Sequence, residues 1–404
     1  MTLLLMLAVL AGYAGELNFV ETEACDQVNS DACCLLFPAR HDRFERLYRM
    51  IEQLRQDGEG RLNILHVGGS HVQAGVLSQR LRCNFTQIVP ERPKSRGLMF
   101  PFRAIRSNAP TDYEFSGTGV WKRVRCLDQV PACTLGLSGA AAIAASDACS
   151  LSLSVDSTCS FVRLRVLGEP TGCEAFPLVV TAEADTLHPE LTEGDYLFSF
   201  PQPANACTII FEGVQEEAGF ALRGVWPECE GVGVSYTESG INGAAVPSWL
   251  RCERFAEELK RLCPPDLVIL GIGINDANVA AHKFNAETFK ENYRQLIRSI
   301  LDVNPDAALL FITNNDCWLR VGRRRHVLNA NGSVVEQAMT ELAGEFDGAV
   351  FDQYQVMGGL GSSNKWVRAG LMNRDHVHFR PAGYRMMADL IFNAFVQDYN
   401  DYIR

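Results

Sequence analysis

The stretch Leu62–Arg82, LNILHVGGSHVQAGVLSQRLR, constrains the fold more than any other part of the chain. Leu62, Ile64, Leu65 and Val67 form a mostly apolar run of strand length. Two glycines follow, and then Val72, Val76, Leu77 and Leu81 recur at helical spacing. Strand, tight turn and helix are therefore expected in that order. Ser70 stands in the turn, where unpaired backbone N–H groups at the start of a helix favour developing negative charge. Taken alone, a serine there reads as an N-cap.

A second stretch three hundred residues away changes that reading. Asp375-His376-Val377-His378 is an Asp-x-x-His run, followed by an apolar helical pattern from Ala382. A serine hydroxyl becomes a nucleophile when a base takes its proton and a carboxylate orients that base. Ser70, His378 and Asp375 supply all three groups. Two more stretches offer hydrogen-bond donors for an oxyanion. One is the glycine turn in Tyr236–Ala244, YTESGINGA, and the other is Asn275, at the end of the buried-type strand Leu267–Gly273.

In chain order, the serine turn, the glycine turn, the strand-end asparagine and the Asp-x-x-His run resemble the four blocks of the SGNH (GDSL-type) hydrolase superfamily. The resemblance implies Ser70 as nucleophile, His378 as base, Asp375 as its partner, and Gly243 and Asn275 as oxyanion donors. HVGGSHVQAG, the GINGA turn and MGGLGSSNKW before DHVHF are similar to secreted peptidoglycan O-acetylesterases. One departure is that Gly69 stands where the usual block carries an aspartate. The activity implied is release of a short acyl group from an acylated glycan without cofactor or metal. Acyl transfer by the same residues, or an inactive glycan-binding protein, are the alternatives.

Charge and composition fit a packed enzyme. The 404 residues are 47% hydrophobic and carry a formal charge of −11, which argues against a nucleic-acid partner. Between Asn108 and Glu230 there are 17 acidic and 6 basic residues, so that segment holds the chain's whole formal charge. The run LLLMLAVLAGYA near the start is apolar, ends in small residues and is too short to span a bilayer. It reads as a signal segment over 1–15 lacking a basic n-region, and export to the periplasm or exterior is expected. Fourteen cysteines without Cys-x-x-Cys spacing allow either disulfides or buried thiols.

Strand and helix patterns then divide the chain. His41–Arg55 places Phe44, Leu47, Tyr48, Ile51 and Leu54 on one helical face. From Arg103 to Glu230 short β-type runs at Ser160–Val166, Leu178–Thr181, Tyr196–Phe200, Thr208–Phe211 and Phe220–Val225 are separated by turn residues, with an Ala-rich piece near Ala140 as the one helical candidate. From Val232, helices at Trp249–Leu262, Ala286–Leu301, Ser333–Phe346 and Ala382–Phe395 alternate with strands at Leu267–Gly273, Ala307–Thr313 and Gly348–Phe351. The expected architecture is α/β: a doubly wound parallel sheet in a flavodoxin-like three-layer arrangement, interrupted by an all-β sandwich or jelly roll. The expected divisions are a hydrolase part over 16–105, the β-rich insert over 106–230 and the second hydrolase part over 231–404.

Several residues admit a second role. His71, beside the nucleophile, and Trp366, in the run before the Asp-x-x-His block, are candidate substrate contacts. His66 on its apolar strand reads as a hydrogen-bonded core residue. Arg320, Arg323, Arg324, Arg325 and His326 read as a solvated loop able to reach an anionic part of a substrate. Gly271-Ile272-Gly273 lacks the third glycine of a dinucleotide site, and Asp375, His376 and His378 have no second cluster to complete a metal shell.

Overall fold

The computed structural model describes residues 15–156, 159–215, 218–322 and 325–404. The signal-like run, as well as Arg323 and Arg324, lies outside the described residues. Seven strands build the main sheet, in the order Leu35–Leu36, Ala349–Phe351, Ala308–Ile312, Leu267–Gly271, Leu62–Gly68, Val234–Gly240 and Lys94–Ser95. All neighbours are parallel except the Leu35–Leu36 edge, which runs antiparallel to Ala349–Phe351.

Helices cover both faces of this sheet, as parallel strands require. Side-chain alternation sends Leu65, Val67, Val268, Leu270, Leu309 and Phe311 to one face, where they pack on the helices Phe255–Leu262, Ala286–Leu301 and Gly332–Glu345. Leu62, Ile64, Leu267, Ile269, Ala308 and Leu310 go to the other, beneath Asp42–Asp57, Val76–Phe85 and Pro381–Ile403. Helix Ala286–Leu301 begins where the Asn285 side chain accepts the Thr288 N–H at 2.9 Å. The irregular stretch after Glu16 is tied to the last helix, with Leu17 N–H donating to Asn400 Oδ1 at 2.8 Å and Val20 N–H to Asn393 Oδ1 at 2.9 Å.

Between Tyr113 and Glu228 the chain forms a five-stranded and a six-stranded sheet, antiparallel throughout, around a core of their own that includes Phe115, Leu153, Phe161, Val179, Phe198, Ile209 and Phe220. The six-stranded sheet also rests on the helices of the parallel sheet: Ala140, Ala141, Ala142 and Leu167 share a cluster with Trp249 and Phe255. Buried ion pairs cross this seam. Arg82 pairs with Asp112 and, at 3.3 Å, with Glu238; Arg96 reaches Glu238 at 2.8 Å and Asp112 at 3.0 Å. Arg223 on the six-stranded sheet bonds Glu258 on the helix Phe255–Leu262 at 2.8 Å, both almost wholly buried.

Four local expectations change. The Ala-rich piece is the strand Ala140–Ala144, because small side chains let the sheet approach Trp249: a Cβ on Gly139 would lie 2.9 Å from its ring. Trp249–Leu262 is two helices, Val246–Trp249 and Phe255–Leu262. The helix after Ser70 is also split, into Ser70–Gln73 and Val76–Phe85, by Gly75 at φ +78° packed against Pro110. Arg320 and His326 of the basic stretch belong to two short paired strands, Trp318–Arg320 and His326–Leu328, where a solvated loop is expected.

Candidate active site

Three adjacent strands deliver the candidate residues to one edge. Leu62–Gly68 lies between Val234–Gly240 and Leu267–Gly271, and the register sets Gly68 beside Gly240 on one side and Gly271 on the other. Ser70, Gly243 and Asn275 follow within a few residues of that level, beyond the carboxyl ends of the strands, where open parallel sheets bind ligands. His378 comes from the loop before the last helix, Pro381–Ile403.

A chain of hydrogen bonds joins the first three. Ser70 Oγ lies 2.7 Å from His378 Nε2, and His378 Nδ1 lies 2.8 Å from Asp375 Oδ2. With Ser70 donating to Nε2, the ring carries its proton on Nδ1 and gives it to the carboxylate. The other oxygen of Asp375 accepts the N–H groups of Val377, at 2.9 Å, and His378, at 3.0 Å, so one side chain orients both the ring and its backbone. Partial burial would raise the Asp375 pKa, but the His378 ring and the two N–H groups outweigh it and hold the carboxyl below the ordinary carboxylate range.

Ser70 opens the short helix Ser70–Gln73, and neither its N–H nor that of Gly243 has a hydrogen-bond partner among the described residues. Gly243 sits at φ +83°, a conformation glycine adopts without strain. Asn275 Nδ2 donates one proton to Ala244 O at 2.9 Å, which leaves its second free. A Cβ added to Gly69 would lie 3.4 Å from Asn275 Nδ2 and 3.5 Å from Ala244 O, so amide and glycine turn both flank the residue before Ser70.

Polar residues to which the sequence pattern assigns no role hold this arrangement. Gln73 Oε1 accepts the Asn242 N–H at 2.6 Å, while its Nε2 donates to Ser107 Oγ at 2.7 Å and Asn108 O at 2.8 Å. Asn242 also donates to the Asn108 side chain, fastening the glycine turn to the chain just before the antiparallel sheets. Asp276 accepts the Val246 N–H at 3.0 Å, and burial lifts its carboxyl to a pKa of about 6 against that bond. Asn315 Nδ2 donates to Val377 O at 3.1 Å, next to His378. Each has a partner far away in sequence, and only its place beside a block hints at it.

The two candidate substrate contacts fare differently. His71 is half-buried, with Nδ1 2.7 Å from Tyr384 OH and its ring 5.4 Å from that of His378. Burial first, then the His378 ring, pushes it down to a pKa of about 3, so it stays neutral at ordinary pH. Trp366 is a correction: it is 0% exposed, packs edge-on against Phe379 and donates its indole N–H to Met357 O at 3.2 Å. A ring with no exposed surface supports the core and offers nothing to a substrate. His66 is likewise fully buried, bonded to Tyr236 OH at 2.8 Å.

Comparisons with known proteins bear on the fold and on part of the sequence. Residues 218–386 match the model of the GDSL-like lipase/acylhydrolase family, a span that holds Gly243, Asn275, Asp375 and His378 and begins after Ser70. A solved structure of a peptidoglycan O-acetylesterase superposes with a TM-score of 0.72 at 20% identity, over 91% of this chain and 99% of that one. The acetyl xylan esterase AlAXEase is similar at 19% identity and TM-score 0.31, over 40% of this chain and 81% of that one. No curated protein matches the sequence. Over residues 218–386 the chain is therefore similar to the GDSL-like lipase/acylhydrolases, and over nearly its whole length its fold is like that of the solved O-acetylesterase.

Proposed function

We propose that the chain is a serine esterase that removes O-acetyl or another short acyl group from a glycan through an acyl-enzyme on Ser70. The observation that carries this reading is the continuous relay from Ser70 Oγ through His378 to Asp375, at 2.7 and 2.8 Å. His378 Nε2 takes the hydroxyl proton as Ser70 Oγ attacks the ester carbonyl. The oxyanion receives hydrogen bonds from the N–H groups of Ser70 and Gly243 and from the free N–H of Asn275, and Asp375 stabilises the charged ring. The ring then protonates the departing sugar oxygen. In the second half His378 takes a proton from water, which attacks the acyl carbonyl, releasing the acid and regenerating Ser70.

A glycan substrate is favoured by the solved peptidoglycan O-acetylesterase, whose likeness extends over 91% of this chain and so over the β-rich segment as well. We read the main sheet as doubly wound and residues 106–230 as a sandwich inserted between two hydrolase parts, 16–105 and 231–404. Export suits a polymeric cell-wall substrate. Among the described residues no helix is long and apolar enough to cross a membrane. The test is acetate release from an activated acetyl ester and from O-acetylated peptidoglycan and xylan, with Ser70→Ala beside the native chain. Release from one polymer well above that of the variant is expected. Equal release by both proteins would overturn the proposal.

A further inference from the structure

His376, between the carboxylate and the base, has φ +57°. A side-chain-bearing residue holds the left-handed conformation only where its surroundings fix it. The turn itself contributes two backbone bonds, from His376 N–H to Asn373 O at 3.1 Å and from Asn373 N–H to His378 O at 2.8 Å. A third restraint comes from another part of the chain. The His376 ring stacks on Trp318, with centroids 4.5 Å apart and planes 17° from parallel.

Trp318 is held firmly at the base of its hairpin. Asp316 Oδ2 accepts the Ser363 N–H at 2.9 Å, and the Asn329 N–H donates to Cys317 O at 3.1 Å. Asn315 meanwhile grips Val377 O. The four residues Asn315–Trp318 therefore touch both residues between Asp375 and His378, while Asp375 and His378 remain part-exposed.

We propose that Trp318 and His376 are positioning residues: their stack fixes the Asp375–His378 turn so that the imidazole faces Ser70. This rests on the Ser70–His378–Asp375 relay proposed above. Without the stack, the loop relaxes, and a base displaced by a fraction of an ångström loses rate while substrate binding persists.

The experiment measures kcat and KM of the full chain on an activated acetyl ester, with Ser70→Ala in parallel. Trp318→Leu is expected to lower kcat about tenfold to a hundredfold with KM little changed, and Trp318→Phe, which keeps a ring to stack on, to stay near the native rate. His376→Gly tolerates the left-handed backbone but removes the ring, and should lose a similar factor. The double variant Trp318→Leu/His376→Gly should be no slower than either single one, because both remove the same contact. A native kcat in Trp318→Leu, a raised KM at native kcat, or losses that multiply in the double variant would each overturn the inference. If Ser70→Ala is inactive while Trp318→Leu is fully active, the relay stands and the stack falls; an active Ser70→Ala overturns the relay instead.

Discussion

The parallel sheet and the antiparallel sheets of the insert are both well packed, yet they use their strand ends differently. In the parallel sheet Gly68, Gly240 and Gly271 finish at one level and open into loops that carry Ser70, Gly243 and Asn275. Antiparallel neighbours finish at opposite ends, so the insert gathers no comparable edge. Its contribution comes from its border: Ser107 and Asn108 hold Gln73 and Asn242, and Leu127 would lie 3.1 Å from a Cβ on Gly243. Parallel strands concentrate chemistry, whereas antiparallel ones here supply a wall and a seam.

Substitutions in each region sharpen that contrast. The largest effect belongs to the parallel edge. Ser70→Ala should reduce kcat by about 10⁴-fold or more with the thermal midpoint unchanged; a comparably active variant would remove the edge's claim to the chemistry. At the seam, Arg96→Ala leaves Asp112 and Glu238 short of a partner in the interior and should cost about 3–5 kcal/mol in denaturant unfolding. A loss under about 1 kcal/mol would mean that the Arg96 pairs contribute little to joining the two regions.

Asn275→Ala should slow turnover by about a hundredfold to a thousandfold without loss of stability, measured as kcat on an activated ester. Asp276 gives a pH-dependent contrast. Its folded pKa of about 6 lies above its unfolded value, so the native state binds more protons between about pH 4 and 6 and stability falls as pH rises through that window. Asp276→Asn keeps an oxygen for the Val246 N–H and should flatten that part of the stability profile, read from denaturant midpoints across pH. The smallest effect lies on the insert's surface. Val130 is 88% exposed, and Val130→Ser should change stability by no more than about 0.5 kcal/mol and activity not at all.

The sequence revealed those parts of the site whose chemistry is written locally. An apolar run, two glycines and a serine specify a strand-turn-helix in one short window. Asp375 and His378 declare themselves because three-residue spacing suits an aspartate that both caps a turn and meets the ring. Helix Ala286–Leu301 spans the residues that its sequence pattern predicts, and in the structure the Asn285 side chain fixes its start. What stayed hidden depends on distant partners. Gln73, Asn108, Asp276 and Asn315 are ordinary polar residues until folding brings them their acceptors and donors. Ala140–Ala144 has helix-forming composition, overridden by the close approach of Trp249. Trp366 has the residue type of a sugar-stacking ring, and only its burial shows that it is core.

The central claim is that Ser70 Oγ carries the acyl group during turnover. Acid-quenching the native chain during hydrolysis of an activated acetyl ester, followed by mass spectrometry of its peptides, tests this directly. The account predicts one acetyl group on the peptide bearing Ser70, absent in Ser70→Ala. Acetyl on a different residue, or turnover by Ser70→Ala at the native rate, would contradict it.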